Sequence, residues 1–192
     1  MLNERTIQIG LVNNFRSSWI CACPNFTPGS WWECDLWAVT KAGYDVEFEI
    51  KLSIQDFRAD AAKSQTRMKR DEHGEVLRDG RGHWVDETIK KHEQIASGAG
   101  PSRFSFAVPH ELVELVRAGL PDWAGLISMQ LWRSYGATVR KIVVPAPRLH
   151  GRKVDRKHIR QAERTMWYRY WECLRNEQRS GREVESAVEV GR

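Results

Sequence analysis

The stretch WWECDLWAVTKAGYDVEFEIKLS, residues 31–53, constrains the fold more than any other part of the chain. Two runs with strand-type alternation flank Lys41-Ala42-Gly43, and a three-residue hairpin loop commonly ends in a left-handed residue, usually glycine. Thr40 then faces Tyr44, and partner numbers along the hairpin sum to 84. One face collects Cys34, Leu36, Ala38, Val46, Phe48 and Ile50 and is expected to be core. The other sets Asp35 across from Glu49 and Glu33 across from Lys51, although acidic residues form strands poorly. Like charges placed directly opposite destabilise a sheet by about 0.2–1 kcal/mol, and burial adds to that cost. Such a pair calls for a cation. Lys51, one alternation beyond Glu49 on the same face, neutralises one charge, whereas a Mg²⁺ ion, which prefers oxygen ligands, suits both. Asp45 and Glu47, nearer the turn, are expected to face water, and a hairpin whose whole polar face is solvated is the competing reading. A two-residue loop at Ala42-Gly43 would shift the sum to 85 and separate the faces.

Signals on either side of this hairpin place it in a larger sheet. Asn3 is positioned to cap a first helix in which Ile7, Leu11 and Phe15 fall on one face, with Glu4 on the same inward side. A short strand over 17–24 leads into a loop over 25–30. Ser53 and Asp56 mark the start of a helix over 54–65. From 68 to 100 the chain is charged and glycine-dotted (RDEHGEVLRDGRGHW), and 86–97 is expected to be a helix carrying Lys90, Lys91 and His92. Strands follow over 103–109, 124–131 and 138–144, with a short helix over 111–118. Asp155 opens a long helix to about 176. The order α-β-β-β-α-β-α-β-β-α predicts an α/β (α+β) fold with a central mixed sheet flanked by helices. The expected organisation is one domain over 1–178, a flexible insertion at about 66–100 and a solvated tail over 179–192. No internal repeat is apparent. Neither GxGxxG nor GxxxxGK[ST] occurs, so no dinucleotide or nucleoside-triphosphate site is expected.

Composition narrows the setting. The 192 residues suffice for one substantial core, and no apolar run approaches the roughly 20 residues of a membrane span. The opening MLNERTIQIG is not a signal peptide, so a cytoplasmic protein is expected. Four cysteines (Cys21, Cys23, Cys34, Cys173) form no CxxC pair and read as reduced thiols rather than a zinc site. The formal charge is +5, but residues 148–182 hold eleven Lys/Arg against four Asp/Glu, leaving the remainder slightly acidic. That basic third is the footprint expected of a phosphate-backbone binder, with a solvated helix face as the plainer alternative. On the last helix (MWYRYWECLR), Arg160, Arg164 and Arg169 are candidates for backbone contact. Core packing is expected for most of Trp167, Tyr168, Tyr170 and Trp171, the rest being free to stack on bases or a partner. His92 and His110 are expected to be surface or capping residues.

Asp35, thirteen intervening residues and then Glu49-Ile50-Lys51, on a hairpin after a Glu-bearing helix, resembles the PD-(D/E)XK nuclease core. VEFEIKLSIQDFRAD, RFSFAVP, AGLI and YGATV fall in the order found in MmcB-like DNA-repair nucleases and their phage-borne relatives, and PAPRLHGRK (145–153) resembles the phage-type members. The resemblance covers about 3–65 and 89–175. It implies a restriction-endonuclease-like core and a Mg²⁺-dependent nuclease, with Mn²⁺ as a substitute, acting on DNA in repair, recombination or phage DNA metabolism. Asp35 and Glu49 would hold the metal with the Ile50 carbonyl as third ligand, Lys51 would orient or activate the attacking water, and Glu4 matches the first-helix acid. Lys63, Arg152, Lys153, Arg160 and Arg164 are the candidate nucleic-acid contacts. Cys34 stands where the family usually has proline. A bacterial or phage-infected cytoplasm is the implied setting, and a homodimer is admitted.

The chemistry suits these residue types. Phosphodiester hydrolysis needs water made nucleophilic near neutral pH and compensation of charge on the phosphate; a metal supplies both, and a lysine adds a fixed positive charge. Three other readings stay open: a DNA-binding protein that kept the fold without cleavage, an RNA-directed nuclease, and a structural protein with a solvated hairpin. The intact Asp35, Glu49 and Lys51 set argues against a decayed copy.

Overall fold

The glycine-ended turn sets the register of the central hairpin. The computed structural model describes residues 2–29, 31–132 and 136–190, with side chains described as far as residue 177. Strands β2 (Cys34–Thr40) and β3 (Asp45–Ile50) pair antiparallel from Val39↔Asp45 to Leu36↔Phe48, every pair summing to 84. Gly43 takes φ +86°, a left-handed conformation that side chains rarely adopt, and its N–H closes the turn on the Thr40 carbonyl at 2.8 Å. The three-residue loop is therefore present.

Around this hairpin a six-stranded mixed sheet runs in the order β1-β2-β3-β6-β7-β8. Strand β1 (Trp19–Phe26) is its edge beside β2, while β6 (Arg103–Pro109) and β7 (Gly125–Trp132) continue it parallel to β3, and β8 (Gly136–Val144) closes it antiparallel. Being central and parallel, β6 is covered on both faces: Phe104 and Phe106 point one way and Ala107 the other, all buried. Each such Phe contributes about 1.5–3 kcal/mol by burial.

Helix α1 (Glu4–Phe15) starts as its sequence signals: the Asn3 side chain accepts from the Thr6 amide, and Thr6 reciprocates. Its Ile7 and Leu11 join Leu36, Val46, Phe48, Ile50, Ile127 and Met129 in the core of one sheet face. Gly10 lets α1 approach β8, since a Cβ there would sit 2.5 Å from the Ala137 carbonyl oxygen. On the opposite face, α2 (Ile54–Asp60), α3 (Lys91–Ala96) and α4 (Val113–Arg117) cover Phe104, Phe106, Val108 and Leu126, and α5 (Arg156–Val190) covers Cys23, Phe26, Trp37 and Val39. Among the described residues no helix is long and apolar enough to cross a membrane.

Several expectations are corrected. Cys34 joins Trp37 and Val39 in the α5-facing cluster, not the face of Leu36, because regular β2–β3 pairing stops at Leu36. Helix α2 ends at Asp60 instead of 65, and 86–97 divides into strand β5 (Asp86–Lys90) followed by α3. Trp167, Tyr168, Tyr170 and Trp171 all lie exposed, because α5 turns Ala162, not its aromatic residues, into the core. The helix continues to Val190 through the expected tail, of which the side chains and residues 191–192 lie outside the described residues.

The 66–100 region holds the least expected construction. Strand β4 (Ser64–Met68) pairs with β5 from Ser64↔Lys90 to Met68↔Asp86, forming the base of an arm. Beyond it the chain makes the same turn twice, eight residues apart. Asp71 Oδ1 accepts the amides of His73 and Glu75 while Arg70 donates to the Gly74 carbonyl; Asp79 Oδ1 accepts those of Arg81 and His83 while Arg78 donates to Gly82. Where the three hairpins meet, the Lys69 amide donates to Val85, Val85 to Leu77 and Leu77 to Lys69, a closed ring of backbone hydrogen bonds. RDEHGEVL and RDGRGHWV are thus a short tandem repeat, contrary to the sequence reading, legible only once the two aspartates are seen capping equivalent turns.

Candidate active site

Past Leu36 the two central strands no longer exchange ladder bonds, and a side chain takes over. Asp35 Oδ2 accepts the Ile50 amide at 2.6 Å, which brings the Asp35 carboxylate to the end of β3 beside Glu49. Helix α1 approaches the same point through a residue the sequence did not single out: the Gln8 side-chain amide donates to the Asp35 carbonyl at 2.7 Å and to Glu4 Oε1 at 3.1 Å. Asn25, held at φ +45° where β1 ends, donates to the same Glu4 oxygen at 3.2 Å. Glu4 itself is exposed, at the rim. Its link to Asp35 runs through Gln8.

Burial and the negative charge of Glu49, with a smaller push from Glu4, raise the Asp35 carboxyl to about 7 against the opposing Ile50 N–H and Lys51. Glu49 behaves in the opposite way. Burial would raise it too, but Lys91 and Lys51 prevail and hold its carboxyl below the ordinary value. Two adjacent carboxylates are thus pushed apart by their surroundings.

Three ammonium groups surround Glu49. Lys91 contacts Oε1, while Lys51 and Lys63 lie 3.1 and 3.2 Å from Oε2. Lys51 and Lys63 also share Asp60 Oδ1, at 2.7 and 2.8 Å, and His92 Nε2 lies 2.8 Å from Asp60 Oδ2. Burial works against ionising Asp60, yet His92, Lys51 and Lys63 hold its carboxyl well below the usual range. His92 is therefore a partner of a buried carboxylate, not the surface residue expected. Burial likewise disfavours the Lys51 and Lys91 charges, but the facing carboxylates outweigh it and keep both ammoniums above their ordinary value.

Glu47 is the clearest correction. Expected to face water, it is fully buried, accepting the Trp31 indole N–H at 2.8 Å on Oε2. Its Oε1 lies 2.6 Å from the Lys91 ammonium, an ion pair without hydrogen-bond alignment. The covering residues come from sequence positions far away, so alternation along β3 carried no sign of them. Burial pushes the Glu47 carboxyl up, and Lys91 only partly offsets this. Asp45, also expected to face water, accepts the Ser102 amide at 2.8 Å and thereby ties β3 to the start of β6.

The candidate nucleic-acid residues do not all converge here. Lys63 belongs to the cluster. Arg152 donates to the Gly98 carbonyl, and the Lys153 stem lies against Gly43, at the turn end of the hairpin and away from Asp35. Arg160 and Arg164 are exposed along α5, Arg164 reaching Tyr168. Arg169 is spent on the carbonyls of Pro24 and Asn25, anchoring α5 to the end of β1. A cavity of about 440 Å³ between Trp31, Trp37, Glu47 and His158 touches neither Asp35 nor Glu49.

Among the described residues no three His, Cys, Asp or Glu side chains gather as a ready-made metal cluster. The donor chemistry at the β3 end nevertheless fits a hard divalent cation: the groups are all oxygen, and Asp35 is held by the Ile50 backbone N–H rather than by an ammonium group. Asp35 and Glu49 are the side chains that would hold one, with the Ile50 carbonyl as the third ligand the sequence resemblance implies, and ammonium groups engage both Glu49 oxygens in this structure.

No family model matches the chain, and no curated protein matches it. Among solved structures it is similar to the SPO1766 protein of unknown function from Silicibacter pomeroyi, with a TM-score of 0.55 and 18% identity, covering 93% of this chain and 94% of that one. The likeness bears on the overall α/β architecture alone.

Proposed function

We propose that the chain is a metal-dependent nuclease of restriction-endonuclease-like fold, cutting DNA phosphodiester bonds in repair, recombination or phage or mobile-element DNA metabolism, in the cytoplasm. One observation carries this reading: Asp35 and Glu49 meet at one end of the β2–β3 hairpin, with Asp35 seated on the Ile50 amide. Mg²⁺, or Mn²⁺ in its place, would be held by Asp35, Glu49 and the Ile50 carbonyl and would supply a water made nucleophilic near neutral pH and compensation of phosphate charge. The chain's own residues do the rest. Gln8 fixes the backbone of Asp35, the lysine cluster fixes Glu49, and that cluster supplies a preorganised positive charge next to the carboxylates.

The test is cleavage of plasmid, single-stranded DNA and RNA with Mg²⁺ or EDTA, comparing wild type with Glu49→Ala and Asp35→Ala. Cleavage in Mg²⁺ that falls by about 10²-fold or more in both variants and stops in EDTA is expected. Cutting that survives either substitution or EDTA would sink the assignment. One feature favours a second reading, DNA binding without cleavage: both Glu49 oxygens are already engaged by ammonium groups. Binding with no cutting in Mg²⁺ or Mn²⁺ would select it.

A further inference from the structure

Lys51 and Lys63 bridge the same two oxygens, Glu49 Oε2 and Asp60 Oδ1, but differ in burial. The Lys51 side chain is 3% exposed, whereas that of Lys63 is 40% exposed. Removing Lys63 from the pair leaves neither carboxylate without a partner: Glu49 keeps Lys51 and Lys91, and Asp60 keeps Lys51 and His92. Removing Lys51 would take away the interior half of both bridges. Lys91, fully buried between Glu47 and Glu49, has no route to an external ligand.

Charge counting separates the lysines in the same way. With the exposed Glu4 and Asp56 left to solvent, Asp35, Glu47, Glu49 and Asp60 bring four negative charges, and the buried Lys51 and Lys91 bring two positive ones. A divalent cation at Asp35 and Glu49 would balance that set without Lys63, whose charge would then match the single negative charge of a phosphodiester. The backbone places Lys63 for this. It lies just before β4, and the Lys91 amide donates to its carbonyl at 2.9 Å, so both roots of the arm are tied together beside Glu49.

We infer that Lys63, not Lys51, is the ammonium this site presents to the scissile phosphate, while Lys51 and Lys91 are buried counter-ions that position Glu49. This assignment rests on the nuclease reading and departs from the role that the sequence resemblance gives to Lys51.

The experiment uses the full chain and compares Lys63→Ala, Lys63→Arg and Lys51→Met in three measurements: single-turnover cleavage in Mg²⁺, DNA affinity across a salt series with Ca²⁺ in place of Mg²⁺, and thermal melting. Lys63→Ala is expected to cut about 10²–10³-fold more slowly, the size seen when one preorganised group is lost, with Lys63→Arg recovering most of the rate. Its slope of log affinity against log salt should shrink by about 0.9, one phosphate contact, while melting stays near wild type. Lys51→Met should instead melt well below wild type with the salt slope unchanged. A Lys63→Ala protein that cuts at the wild-type rate, or that loses as much thermal stability as Lys51→Met, overturns the assignment. If the wild type cuts nothing, a reduced salt slope in Lys63→Ala keeps the phosphate contact and refutes only the nuclease reading. An unchanged slope, or no DNA binding at all, refutes both.

Discussion

Lys91 at the root of the arm and Arg67 a short way along it each face glutamates, but in opposite surroundings. Lys91 is sealed between Glu47 and Glu49 with no exposure on either side of the contact. Arg67 meets Glu87 at 2.8 Å across the β4–β5 ladder with 47% of its side chain in water. Taking charges out of water costs several kcal/mol per ion, recovered only when geometry and hydrogen bonds are good, whereas an exposed pair gains and loses little. The difference teaches where position matters. Under cover, every charge must have a fixed partner, so Glu49 is held in one place. On the arm the same residue types are interchangeable with solvent.

The largest expected effect comes from breaking the buried side of this contrast. Lys91→Met leaves Glu47 and Glu49 facing each other in the interior and should lower unfolding free energy by about 3–5 kcal/mol in urea denaturation. Adding Glu47→Leu should recover part of that loss. A Lys91→Met protein as stable as wild type would mean that water reaches the pair.

Asp35 gives a smaller effect of opposite sign. Its folded carboxyl titrates near 7 against an ordinary 3.8, so between these values the folded state binds more protons than the unfolded one. Stability contributed by Asp35 is therefore greatest at low pH and falls as pH rises through about 7. At pH 8 in EDTA, Asp35→Asn should be more stable than wild type in urea denaturation by an amount on the order of 1–3 kcal/mol, with the gap closing towards pH 4. Mg²⁺ should raise the melting temperature of the wild type and not of this variant. A gap independent of pH would show that the Asp35 charge is not what strains the site.

The exposed side should barely respond. Arg67→Ala or Glu87→Ala is expected to change stability by about 0.2–1 kcal/mol, and less in high salt. A loss comparable to that of Lys91→Met would erase the distinction between arm and root.

Much of the hairpin was legible because its signals are local. Lys41-Ala42-Gly43 sets the loop, the loop sets the sum of 84, and alternation then assigns Leu36, Val46 and Phe48 to one face. Asn3 and Ser53 likewise announced their helices through side chains that reach only three residues along the chain. The fate of Glu47 was not legible, because Trp31 and Lys91 arrive from 16 and 44 residues away. The pairing of Asp60 with His92 was not legible for the same reason: one ends a short helix, the other lies in α3 beyond the arm, and only the tertiary fold sets them 2.8 Å apart.

By itself, then, the sequence determined the hairpin register, the starts of α1 and α2 and the placement of Asp35 and Glu49 at one end of two neighbouring strands. These follow from turn chemistry and a period of two, which act over a few residues. Only the tertiary structure decided which carboxylates leave water and which lysine stays within reach of it. Burial is set by whatever element lands on top, and a charge under cover takes its properties from those distant partners.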